Sequence, residues 1–174
     1  MKKQPETTLP PFKVTDVLST LSQTKGWGVT QLNVPSTWTF TRGKGMTAMV
    51  IDTGYCDHID LNNGITSSHC RSFIPYEKEI QDKNGHSSHC CGIIGARDNN
   101  IGMVGVAPAC KIVTVKALAG DGSGSMNALE QALEYAVKIK PDVVSMSLGA
   151  PRGTAKIHSL IKELYNLNIP VICA

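Results

Sequence analysis

Two apolar rhythms alternate downstream of Met46, and that alternation limits the chain to few architectures. Short runs rich in β-branched residues occur at 46–52 (MTAMVID), 111–118 (KIVTVKAL), 141–148 (PDVVSMSL) and 169–174 (IPVICA). Their near-continuous apolar character is that of strands buried on both faces. Between them lie segments with helical spacing. In 125–140, Leu129, Ala132, Leu133, Ala136 and Val137 recur on one face, Ser125 is placed to cap the start and Pro141 ends the helix. In 154–168 the repeat runs through Ile157, Leu160, Ile161 and Leu164, and 86–96 (HSSHCCGIIGA) reads as a helix of small residues. Strands and helices of these lengths, in this order, predict right-handed crossovers and an α/β fold: three layers, with a mostly parallel sheet flanked by helices. Ligands of such sheets gather at the carboxyl ends of the strands, and Asp52 stands at one of them.

The 174 residues suffice for one domain with a hydrophobic core. We expect an amino-terminal extension over 1–25, rich in polar residues and proline, and a domain over 26–174. A hydrophobic share of 41% beside a charged share of 18% excludes a disordered chain, and no apolar run approaches the length of a membrane helix. The net charge of +3 is scattered along the chain, so no nucleic-acid face is expected. The opening MKKQPETTLPPFKV lacks the apolar middle of a secretory signal. The six cysteines at 56, 70, 90, 91, 110 and 173 show no disulfide framework. Reduced thiols in a cytoplasm are therefore the expectation.

A histidine that acts as a general base needs a partner to fix its tautomer and stabilise the imidazolium. Asp52, where a buried strand meets the Gly-containing turn DTG, suits that role, and His86 begins a helix one crossover later. Taken singly, Asp52 reads as a turn or helix-cap aspartate and His86 as an ordinary surface histidine.

Four strings in one order carry more weight: VIDTG around Asp52, DKNGHSSHCCGIIGA around His86, IGMVGVAP at 101–108 and DVVSMSLGAP at 142–151. Together they resemble the subtilisin-like serine proteases (peptidase family S8), in character the intracellular subtilisins. The resemblance extends from about Gly26 to Ala174 and covers the amino-terminal half of such a domain. It implies that Asp52 orients the base, that His86 is the general acid/base and that His89 is structural. It further implies that Ser147, Leu148 and Gly149 pair with a substrate peptide along one rim, with Gly122, Ser123 and Gly124 of DGSGS along the other. A peptide would lie between the rims as an added strand. Asp60, Asn100 and Gln23, with carbonyls of the NNIGM loop, resemble the oxygen ligands of the family's calcium site, although the loop is one residue short. Leu9, Pro10, Pro11 and Phe12 resemble the extension that lies across the active site of intracellular subtilisins.

The chain departs from that pattern in two places. Ser87 and Ser88 follow His86 where the family has Gly and Thr, and Cys90 and Cys91 replace small apolar residues. More consequentially, no segment resembles the oxyanion-stabilising asparagine or the GTSMA-like motif of the nucleophilic serine. The resemblance thus implies a serine endopeptidase from which the nucleophile is missing. These 174 residues alone are expected to be inactive, and a complementing carboxyl-terminal half is the implied partner. The alternative is a catalytically inactive subtilisin-like protein that binds peptides or a partner.

Other chemistries are less well supported. His69, Cys70, His86, His89, Cys90 and Cys91 are metal-ligand types, and helical spacing brings His86, His89 and Cys90 near one another. Adjacent Cys90 and Cys91, however, lack the paired spacing of a structural zinc site. The glycines of GDGSG lack the spacing of a phosphate-binding loop.

Overall fold

A computed structural model describes residues 6–9 and 22–174. In chain order its elements are β1 (Glu6–Thr8), β2 (Thr24–Lys25), α1 (Trp27–Gln31), α2 (Val34–Thr37), β3 (Thr47–Asp52), β4 (Arg71–Ser72), α3 (His86–Gly95), β5 (Met103–Val104), β6 (Lys111–Lys116), β7 (Ser123–Ser125), α4 (Met126–Ile139), β8 (Val143–Met146), α5 (Ala155–Asn166) and β9 (Val171–Cys173). Five strands form one sheet in the order β4-β6-β3-β8-β9, and every neighbouring pair is parallel. The expected α/β architecture, a parallel sheet flanked by helices, is the one observed.

Strand parity decides which helix each residue of β3 meets. Met49 and Ile51 join Leu129 and Leu133 of α4 and Ile157 and Leu164 of α5 in the main core. Val50 points the other way, into a second cluster with Cys91 of α3 and Ile112. Side chains alternate across a strand, so Asp52 shares the face of Val50 and projects toward α3. Residues such as Leu133 and Val144 are fully buried, each contributing roughly 1.5–3 kcal/mol relative to an exposed position.

Both amphipathic helices are capped at their starts, α4 by the expected Ser125 and α5 by Thr154. Ser125 Oγ accepts the Ala128 amide at 3.1 Å, and Thr154 Oγ1 accepts that of Ile157 at 3.1 Å. Helix α4 ends at Lys140 in the left-handed conformation, one residue before Pro141. The short elements were not anticipated. Strand β2 pairs with β5, so Thr24 and Lys25 pack with the domain. Strand β1 pairs antiparallel with β7.

Candidate active site

Asp52 ends β3 with no exposed surface, and His86 is the first residue of α3. Crossing from β3 to α3 brings His86 Nδ1 to 3.0 Å from Asp52 Oδ1 and 2.9 Å from Oδ2. Asp52 Oδ1 also accepts the Thr53 amide at 2.7 Å. Burial pushes the Asp52 carboxyl upward from its ordinary value, and the hydrogen bonds from His86 and Thr53 oppose that push. The pairing fixes the Nδ1–H tautomer, in which Nε2 is the basic nitrogen. The turn after Asp52 requires its glycine. Gly54 has φ +115, and a Cβ there would lie 2.1 Å from the Ile80 carbonyl oxygen.

Asp82, which the sequence did not single out, ties the turn after β3 to the start of α3. Its Oδ2 accepts the Ser88 amide at 2.9 Å and the Ser88 hydroxyl at 2.7 Å. Its Oδ1 accepts the amides of Asn84 and Gly85, both at 2.9 Å, and the Thr53 hydroxyl at 2.8 Å. Burial alone would raise the Asp82 carboxyl, but the bonds from Ser88, Gly85 and Asn84 outweigh it and hold the group below the ordinary aspartate value. An aspartate at the N-terminus of a short helix was the available signal, masked by its position four residues ahead of His86.

Beneath this turn, Lys116 is fully buried beside Asp52 in the β3–β6 ladder. Its ammonium donates to the Thr53 carbonyl at 2.6 Å and pairs with Glu77 Oε2 at 3.1 Å. Glu77 Oε1 accepts the Gly120 amide at 3.2 Å, which connects the turn after Asp52, through Lys116, to the residue before the DGSGS loop.

The two sequence-predicted rims face each other across residues 6–9 of the same chain. Glu6, Thr7 and Thr8 register with Ser125, Gly124 and Ser123. On the opposite side, Thr8 N donates to Gly149 O and Gly149 N to Thr8 O, both at 3.0 Å. Leu9 N donates to Gly122 O at 3.2 Å. Residues 6–9 thus form a strand held on both edges, as an added peptide strand would be. Gly124 permits the close approach: a Cβ there would lie 2.4 Å from the Ala117 carbonyl and 2.7 Å from Thr7 Oγ1. Thr7 is buried and Leu148 is 7% exposed. Of the Leu9–Phe12 cluster, Pro10, Pro11 and Phe12 lie outside the described residues.

Asp60, Asn100 and Gln23 converge on one loop. Asp60 is 6% exposed, its Oδ2 accepts the Met103 amide at 2.9 Å, and its buried Oδ1 has no hydrogen-bond donor. Gln23 Nε2 donates to Arg97 O at 2.8 Å and Gln23 N to Asn100 O at 3.1 Å, while Asn100 adopts φ +69. A buried carboxylate oxygen with no hydrogen-bond donor is a group that a hard cation would satisfy.

The remaining residues sort by burial. All six cysteines are free. Cys91 packs into the second core cluster, and burial drives its thiol far up. Cys90 is half-buried beside His86, and burial followed by the Asp52 charge pushes its thiol up to about 11. His89 is exposed at a cavity of about 570 Å³ beside α3, which Val29, Leu32, Ile93 and Val106 also line and which Asp52 and His86 do not. Leu32 and Ile93 are 76% and 52% exposed.

Residues 43–174 match the model of the subtilase family, peptidase S8. The chain is 38% identical over 152 residues to "Intracellular serine protease" of Paenibacillus polymyxa, which takes in 84% of this chain and 46% of that protein. It is 35% identical over 154 residues to "Subtilisin Savinase" of Lederbergia lenta, with 88% and 56% covered. It is 33% identical over 165 residues to "Minor extracellular protease Epr" of Bacillus subtilis (strain 168), with 94% and 25% covered. The chain therefore spans a quarter to just over half the length of these curated relatives. Because the family match begins ahead of β3 and continues through β9, the strands that carry Asp52 and the peptide rims fall within it, and the chain belongs to the subtilase family.

Proposed function

We propose that these residues are the aspartate- and histidine-bearing part of a serine endopeptidase whose nucleophile is supplied by chain other than residues 1–174. The observation that carries this reading is the Asp52–His86 pairing at 2.9–3.0 Å beside a two-rimmed peptide cleft. In the reaction, His86 Nε2 takes the hydroxyl proton as the serine oxygen attacks the peptide carbonyl. Asp52 holds Nδ1–H throughout and stabilises the imidazolium. His86 then delivers the proton to the departing amine, and the cycle repeats with water to release the acid. Without its nucleophile the pair loses several orders of magnitude in rate, so residues 1–174 alone are inactive.

The complementing half docks against the exposed apolar side of α3, where Leu32, Ile93 and Val106 line the large cavity. Such a surface is costly to leave in water, and the relatives' greater length provides chain to cover it. The name of the P. polymyxa relative and six free cysteines support a cytoplasmic setting. Among the described residues no helix is long and apolar enough to cross a membrane.

Residues 6–9 act as a tethered inhibitor in this reading. They occupy both rims, and the next residue in the sequence, Pro10, has no N–H and a fixed φ, which makes the segment a poor substrate. Calcium binds at Asp60 through its unpaired Oδ1, with Gln23 and Asn100 contributing, and braces the loop that β2 pairs against.

Co-expression with a serine-bearing carboxyl-terminal half of a subtilase tests the assignment. Hydrolysis of a chromogenic peptide is expected, and it should be abolished by Asp52→Asn or His86→Ala. Hydrolysis that survives His86→Ala refutes it. A peptide-binding protein without turnover is the second reading, favoured by a cleft that grips residues 6–9 with no serine from this chain. Peptide affinity after deletion of residues 1–20, with no hydrolysis in any complemented form, would establish it.

A further inference from the structure

The Cys90 thiol stands one helical turn past His86, on the same face of α3. Its Sγ lies 3.9 Å from His86 Nδ1, the nitrogen that Asp52 already holds at 2.9 Å. One ligand atom from each of Asp52, His86 and Cys90 lies within 4.8 Å of the others, the one such cluster among the described residues. Protein hydrolysis by the proposed mechanism requires nothing of Cys90.

We propose that Asp52, His86 and Cys90 form an inhibitory site for a zinc-class divalent cation. Zinc takes sulfur at about 2.3 Å, imidazole nitrogen at about 2.0–2.1 Å and carboxylate oxygen at about 2.0–2.2 Å, with tetrahedral preference and a water in the fourth position of open sites. Those bond lengths put ligand atoms about 3.3–3.7 Å apart. The observed 2.9 Å oxygen–nitrogen contact must open by about half an ångström and the 3.9 Å sulfur–nitrogen contact close by about a third of one. Rotation of the half-buried Cys90 side chain closes the sulfur contact, and a turn of the His86 ring, whose side chain is 13% exposed where Asp52 has no exposure, opens the oxygen–nitrogen contact.

Proton and charge balance are closed by the site itself. The cation displaces the thiol proton of Cys90 to solvent. The imidazole proton leaves Nδ1, and the ring takes one up on Nε2, so His86 stays neutral. Thiolate and carboxylate together cancel the dication, leaving a neutral centre where Asp52 has no exposure. The consequence for catalysis follows from the tautomer. With metal on Nδ1 and a proton on Nε2, the ring cannot accept the serine proton. The site would thus act as a lock on the base, independent of the strand formed by residues 6–9. Only this consequence rests on the protease reading; metal binding is measured on the 174-residue chain whether or not it hydrolyses anything.

Titration of the chain, carried in a Cys173→Ser background to remove the exposed thiol, with zinc by calorimetry and with cobalt by absorption tests the site. One saturable equivalent is expected, together with a thiolate-to-cobalt charge-transfer band. Cys90→Ser and His86→Gln should each weaken binding by more than about tenfold, while Cys91→Ser leaves it unchanged. Circular dichroism checks that each variant is folded. Should the Cys90 variant unfold, the cobalt band of the parent chain and the ¹⁵N shifts of the His86 ring, which report metal on Nδ1, carry the test alone. Affinity unchanged in folded Cys90→Ser, no charge-transfer band, or no saturable binding below millimolar zinc would each overturn the proposal. If zinc binds as stated and the complemented chain nevertheless hydrolyses peptide at full rate, the site stands and its inhibitory role fails.

Discussion

Asp82 holds Ser88 twice, through the amide at 2.9 Å and the hydroxyl at 2.7 Å, and so sets where helix α3 begins relative to the turn that carries Asp52. The same carboxylate receives the Thr53 hydroxyl, so one side chain links the residue after Asp52 to the first turn of the helix that His86 begins. Asp82→Ala strips acceptors from five donors, of which at least the helix amide is partly buried. A loss of about 2–4 kcal/mol in urea unfolding is expected, above an ordinary cap because the acceptor is charged.

Acid should act through the same group. The folded-state value of Asp82 is depressed below its unfolded value near 3.8. Its contribution is therefore complete above that pH and lost as pH falls through the folded value. Asp82→Asn should flatten the dependence of stability on pH below about 4. An acid-unfolding curve of unchanged slope in the variant would contradict the assignment.

Thr8 donates its amide to Gly149 across the cleft. Thr8→Pro removes that donor and leaves the rims intact. In a complemented enzyme one lost hydrogen bond of about 0.5–1.5 kcal/mol should raise initial hydrolysis rates about 2- to 10-fold, and deletion of residues 1–20 should raise them further. Rates that match the parent in both forms would remove the inhibitory role of residues 6–9.

Asp60 offers a direct readout of calcium. At a free concentration of one hundred times the dissociation constant, bound calcium adds about 2.7 kcal/mol to stability. Thermal unfolding with calcium and with chelator should show a shift that Asp60→Ala abolishes. Equilibrium dialysis without a bound ion would exclude the site.

Lys116 is fully buried yet paired, so removing it strands a partner. Lys116→Met should cost about 3–5 kcal/mol, because Glu77 and the Thr53 carbonyl lose their cation. Combined with Glu77→Gln the loss should be less than the sum of the single changes, a coupling that a double-mutant cycle in denaturant measures.

The architecture was legible in sequence wherever burial imposes a rhythm. Strands β3, β6, β8 and β9 lie in the apolar runs, helices α4 and α5 lie where apolar periodicity placed them, and α3 lies where the run of small residues was read as a helix. Elements held by pairing and not by an apolar face carried no such rhythm: β1, β2 and β5 are two or three residues long. Asp82 escaped notice for a related reason, since its partners Thr53 and Ser88 become neighbours only after the crossover is made.

Sequence alone determined the layers, the strand ends and the identity of the residues that meet at them, because side-chain parity and helix spacing are properties of local backbone geometry. It could propose Asp52 and His86 as partners but not set their separation. Tertiary structure decided that distance, the bond between Asp82 and Thr53, and the antiparallel seating of residues 6–9 between Gly122 and Gly149. Each of these depends on contacts between segments tens of residues apart, which exist only once the sheet has brought the strand ends to one edge.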